Sequence, residues 1–167
     1  MRTTLLSERT FARWKNWLTL GVIAVARANP APPVDFAAPI RLEDLELVNA
    51  QVKQGQPILL LLYWQALKPI VNDYTIFVHL VDQHGVEAAG YEKEPRRGSA
   101  PTSTWVPGAR IVDAIVLPLP NDLLAADSYR LEVGMFDAAT QQRVPILGAD
   151  GKAMGDRIVI EPVSIVK

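Results

Sequence analysis

From Ile40 to the C-terminus no stretch sustains a 3.6-residue apolar period. Instead, short apolar runs recur at intervals of roughly 8–15 residues, each closed by turn-forming residues. The breaks are Gln54-Gly55-Gln56-Pro57, Asp82-Gln83-His84-Gly85, Val106-Pro107-Gly108, Pro120-Asn121-Asp122 and Ala149-Asp150-Gly151. Between them the sequence predicts strands at 40–49, 57–66, 74–82, 86–93, 111–119, 128–136, 143–147 and 157–166. Two alternate cleanly. In 128–136, Tyr129, Leu131, Val133 and Met135 point one way, and Arg130, Glu132 and Gly134 the other. In 157–166, Ile158 and Ile160 alternate with Arg157 and Glu161, and Pro162 marks a bulge or an edge. The runs 58–64 and 76–81 are apolar on both sides, which predicts central, covered strands. No helical crossover is available for a parallel sheet. The expected fold is therefore all-β: an antiparallel two-sheet, immunoglobulin-like sandwich of about 7–9 strands, with a short N-terminal helix or a signal or membrane-anchor segment before it.

The first 28 residues differ from the rest. They hold five basic residues (Arg2, Arg9, Arg13, Lys15, Arg27) against Glu8 alone, while 29–167 hold 12 basic and 17 acidic ones. The basic start leads into the apolar run Trp17–Ala26 and an A-x-A pattern at Ala24 and Ala26, the layout of a secretory signal peptide. The run is shorter than the about 20 residues a membrane helix needs. The end of a longer membrane helix, an amphipathic surface helix (Phe11, Trp14, Leu18, Val22) and a helix packed on the domain remain open as readings. Residues 29–39, NPAPPVDFAAP, are rich in proline, which removes amide donors, and read as a linker. The expected organisation is thus 1–28 signal peptide or membrane-proximal helix, 29–39 linker, 40–167 folded domain. The location that follows is extracytoplasmic, secreted or membrane-anchored.

Composition excludes several functions. With 17 basic and 18 acidic side chains the formal charge is −1, so no overall electrostatic grip on nucleic acid exists. The absence of cysteine removes thiolate metal sites and cysteine nucleophiles. His79, Asp82 and His84 lie within six residues, but on a strand His79 and Asp82 face opposite ways, and His84 falls in a turn that Asp82 initiates. His79 reads as a core or sheet-face residue, and no metal or cofactor is expected. Ser99, Thr102, Ser103 and Thr104 share one loop with no histidine near in sequence, and no G-x-S-x-G elbow or phosphate-binding glycine loop occurs. Catalysis is not expected.

The segment Glu94–Asp113, EPRRGSAPTSTWVPGARIVD, is a long connection, the kind that is functional or strongly pinned. Trp105 offers a stacking platform for a sugar, with Arg96, Arg97 and Arg110 as donors on its rim. The competing reading makes Trp105 a lid over one end of the sandwich, because burying an indole removes so much apolar area from water. Trp64, ending an apolar strand, reads as core.

The series LYWQAL (62–67), DYTIFVHLVDQHG (73–85), PTSTWVPGARIVD (101–113), LPLP (117–120), YRLEVGMFD (129–137) and IVIEPVSI (158–165) carries a resemblance. Over residues 40–167 the chain resembles an uncharacterised β-sandwich module. That module lies at the C-terminal, extracytoplasmic end of bacterial membrane proteins similar to dolichyl-phosphate-mannose-type glycosyltransferases. The resemblance implies a non-catalytic domain following the last membrane helix, with this chain a free-standing or truncated copy. It assigns no catalytic residue. The expected function is a non-catalytic accessory or binding module, contacting glycan or a cell-envelope membrane protein, with the N-terminal segment against the membrane. The alternative is a structural or protein-interaction domain with no small-molecule ligand.

Overall fold

The computed structural model describes residues 26–167, and those residues form a two-sheet β-sandwich. The twelve strands are β1 (Arg27–Asn29), β2 (Val34–Phe36), β3 (Ile40–Leu47), β4 (Gln51–Lys53), β5 (Ile58–Ala66), β6 (Tyr74–Val81), β7 (Glu87–Lys93), β8 (Arg110–Leu117), β9 (Ala126–Asp137), β10 (Ile146–Leu147), β11 (Ala153–Gly155) and β12 (Ile158–Val166). The first sheet runs β1-β12-β9-β6-β7, with β4 also on β12; the second runs β11-β10-β2-β3-β5-β8. Every ladder is antiparallel except the short parallel one between β4 and β12. Each expected strand is present to within a few residues. The count exceeds 7–9 because β1, β2, β4 and β11 have only three residues each, too few for an alternation to show.

The inward faces follow the alternation. Tyr129, Leu131, Val133 and Met135 of β9 are buried against Ile40, Leu42, Leu60, Leu62 and Trp64 of the opposite sheet in one core. Trp64 is fully buried and its ring centroid lies 5.8 Å from that of Phe36. At Glu161-Pro162 the β12–β9 register shifts, so the missing amide of Pro162 falls in a bulge rather than in the ladder.

Two expectations are corrected. The stretch 29–39 is not a free linker. Val34 and Phe36 of β2 are buried, β2 pairs with both β3 and β10, and Asp35 is clamped by Arg41, whose guanidinium donates to both carboxylate oxygens at 2.5 and 2.8 Å. The folded unit therefore starts before Ile40; its prolines bracket the short strand rather than interrupt it. The reading of residues 1–28 lies almost wholly outside the described residues; only Arg27 and Ala28 are seen in a strand, β1 on β12. The second correction concerns β5. It is central in its sheet, yet one face is open: Leu59 is exposed, and Leu61 and Tyr63 are half-buried. By contrast Ile76 through Val81 of β6 are buried on both faces, as expected.

Candidate functional site

The long connection packs back onto the domain. Trp105 is 5% exposed and joins the core, while its indole N–H donates to the Ala100 carbonyl at 2.9 Å. A ring held this way cannot serve a sugar as an open platform; Trp105 is the lid. Thr102 pins the lid to the neighbouring loop, its hydroxyl donating to Asn72 O at 2.8 Å and accepting Tyr74 N–H at 3.0 Å. The Ser99 and Thr104 hydroxyls likewise donate to backbone carbonyls of their own loop, at 2.9 and 2.7 Å. These hydroxyls are structural fasteners.

The three arginines expected around Trp105 are not brought together on it. Arg96 lies along β8, its Nε–H donating to the Val112 carbonyl at 3.0 Å and its amide to Asp113 Oδ1 at 3.1 Å. Arg97 is an exposed member of the same turn. Arg110 opens β8 on the outer face of the second sheet, where its guanidinium lies 4.4 Å from the centroid of the Tyr63 ring.

That outer face contains a polar groove. Register places Arg41, Gln65 and Arg110 in one row, Asp44, Tyr63 and Val112 in the next, and Glu46, Leu61 and Ala114 in a third. A bulge between Leu42 and Asp44 leaves Glu43 without a partner on β5, and its carboxylate reaches Arg110 Nε at 3.0 Å. The groove is lined by Asp44, Glu46, Val48, Tyr63 and Arg110. It offers one aromatic ring, a guanidinium and several carboxylates, beside the exposed apolar side chains Leu59, Val112 and Val116. Sequence reasoning passed over Tyr63 because it lies in an all-apolar run. The signal was parity: once Trp64 is inward, Tyr63 must be outward.

The histidines make no catalytic set. His79 is nearly buried on the outer face of the first sheet, with Nε2 2.9 Å from Glu92 and Nδ1 3.4 Å from Glu87, the sheet-face position expected of it. His84 sits in the β6–β7 hairpin, where Asp82 accepts the His84 and Val86 amides at 2.8 and 2.9 Å. The Val86 and His84 amides hold the Asp82 carboxyl below its ordinary range. Among the described residues no group of three or more His, Asp or Glu side chains is placed to hold a metal ion, and no helix is long and apolar enough to cross a membrane.

No family model and no curated protein matches the chain. Among solved structures it is similar to the crystal structure of the C-terminal domain of wzt, with 15% sequence identity, a TM-score of 0.49, and coverage of 81% of this chain and 80% of that one.

Proposed function

We propose that this chain is a non-catalytic binding module that takes a glycan across the outer face of its second sheet, at the groove around Tyr63. The observation that carries the reading is the Tyr63–Arg110 pair with Glu43, Asp44 and Glu46 around it. A sugar presents C–H faces that suit an aromatic ring, and hydroxyls that donate to carboxylates and accept from a guanidinium. The non-catalytic reading is supported by the disposition of the histidines and of the Ser99, Thr102 and Thr104 hydroxyls, which are engaged in local contacts. We place the module outside the cytoplasm, alongside cell-envelope membrane machinery. Support comes from the basic-then-apolar N-terminal sequence and from the resemblance to the extracytoplasmic module of membrane glycosyltransferases.

The test is a glycan array followed by calorimetric titration of the best hit. Tyr63→Ala should abolish binding while leaving the fold intact. Binding that survives Tyr63→Ala, or no hit on a broad array, removes the proposal. A second reading, a protein-interaction domain, is favoured by the exposed apolar residues Leu59, Val112 and Val116 on the same face. For that reading Leu59→Asp and Val116→Asp would abolish partner capture, with Tyr63→Ala of little effect.

A further inference from the structure

The strands of the second sheet, β2, β3, β5, β8, β10 and β11, carry only two basic side chains, Arg41 and Arg110, and both are already matched. The Arg41 guanidinium donates to both carboxylate oxygens of Asp35. Arg110 Nε lies 3.0 Å from the Glu43 carboxylate, and its guanidinium rests over the Tyr63 ring. Glu43 is available for this because the bulge between Leu42 and Asp44 leaves it without a partner on β5.

The carboxylates on this face outnumber the cations. Asp44 and Glu46 stand two residues apart on β3, so both side chains project from the outer face, one beside Tyr63 and the other beside Leu61 of β5. Both residues are exposed and both line the groove. The Asp44 carboxylate accepts the Leu45 amide at 2.9 Å. Among the described residues neither Asp44 nor Glu46 has a Lys or Arg within ion-pair distance. The groove thus holds two negative charges without a counter-charge, and one positive charge that Glu43 neutralises.

This balance discriminates between sugars. An acidic sugar, such as a uronate, would bring a like charge to Asp44 and Glu46 and meet no unmatched cation. A neutral sugar would find carboxylate acceptors and the remaining Arg110 N–H donors. A sugar bearing an ammonium group would gain a further attraction. One exposed pair of opposite charges contributes little in water, and two carboxylates facing one ammonium sum to about fivefold in affinity.

We propose that the groove around Tyr63 selects a glycan carrying free amino groups, a de-N-acetylated hexosamine, with Asp44 and Glu46 as the residues that set the preference. The inference rests on the reading of this groove as a glycan site and adds the class of sugar. In it Tyr63 meets the C–H face of the sugar, Arg110, held by Glu43, donates to hydroxyls, and Asp44 and Glu46 receive the ammonium.

The test is calorimetric titration of the full chain with tetrasaccharides of glucosamine, N-acetylglucosamine and galacturonic acid. It is run at about pH 5.5 and low salt, where the carboxylates are ionised and screening is weak. The glucosamine tetramer should bind about fivefold or more tightly than its acetylated counterpart, and galacturonate weakest. The preference should shrink toward unity at about 0.5 M salt. Asp44→Asn combined with Glu46→Gln should bring the glucosamine tetramer to the level of the acetylated one and leave the latter unchanged. Tyr63→Ala should abolish both. Equal affinities, tighter galacturonate binding, or a preference that survives the double variant overturns the inference and leaves the glycan reading standing. Glucosamine binding that survives Tyr63→Ala, or a lysine tetrapeptide bound as tightly, reveals a general cation surface and also overturns it. If no tetramer binds, a neutral or acidic hit on the glycan array overturns the inference alone, and an array without hits removes the glycan reading with it.

Discussion

The outer faces of the two sheets start from the same alternation and end in opposite conditions. On the first sheet, Phe77, His79 and Glu132 are almost wholly buried although, among the described residues, no further layer of structure covers them. Their own neighbours do it. The Arg143 guanidinium lies 4.4 Å over the Phe77 ring, Arg157 and Arg130 close on Glu132 at 2.6 and 3.2 Å, and Glu87 and Glu92 fold over His79. Two glycines make room. A Cβ on Gly134 would stand 2.5 Å from the Phe77 ring, and one on Gly90 would collide with the Glu87 carboxylate. On the second sheet Arg110 lies over the Tyr63 ring at the same 4.4 Å, but among the described residues no such cover lies over Leu59, Val112 and Val116, which meet water. A sheet face keeps apolar side chains in water where its neighbours do not reach over them.

The largest expected effect undermines both faces at once. Trp64→Ala removes the largest fully buried side chain from the shared core and should cost about 3–5 kcal/mol in denaturant unfolding. A midpoint that barely moves would mean that the sheets do not share one core. Next comes the locked face. Gly134→Ala drives a Cβ into the Phe77 ring and to 2.8 Å from the Asp156 carbonyl, and overpacking of this kind costs about 1–3 kcal/mol. A larger, two-carbon addition at the exposed Ala114 of the open face, Ala114→Val, should change stability by no more than about 0.5 kcal/mol. Equal costs would break the comparison.

The acid limb sharpens it further. Burial alone would raise the Glu132 carboxyl, but the hydrogen bonds and charges of Arg157 and Arg130 outweigh burial and hold it below its ordinary 4.5. Its stabilisation is therefore present above the unfolded value and lost as pH falls through the lower, folded one. Between about pH 6 and about pH 3, wild type should lose more unfolding free energy than Glu132→Gln. Parallel curves would show that the arginines do not engage the carboxylate. The smallest effect belongs to the proposed binding groove: Tyr63→Ala should stay within about 1 kcal/mol in thermal or chemical unfolding, because its ring is half-buried and covered mainly by Arg110. A loss comparable to Trp64→Ala would make Tyr63 a structural residue and leave the groove without its central feature.

Strand positions, the burial of Trp64 and the turn at Asp82 were legible in the amino-acid sequence because each depends on residues a few positions apart: a period of two, a proline or glycine break, a side chain that hydrogen-bonds its own backbone. Trp105 could be narrowed only to two readings, since its burial accompanies contacts remote in sequence, with Thr102 and Ser103 fastening its loop to Asn72 and Asp73. The strands at 27–29 and 34–36 were hidden for a related reason: three residues cannot display an alternation, and what makes Val34 and Phe36 core is pairing with β3 and with the distant β10. The openness of one outer face was equally beyond local pattern. Phe77 is covered because Gly134 lies beside it across the ladder and Arg143 folds over it, contacts between positions more than fifty residues apart. Leu59 stays exposed. Local chemistry determined where the chain runs straight and where it turns; only the three-dimensional pairing of remote residues decided which surface was left open.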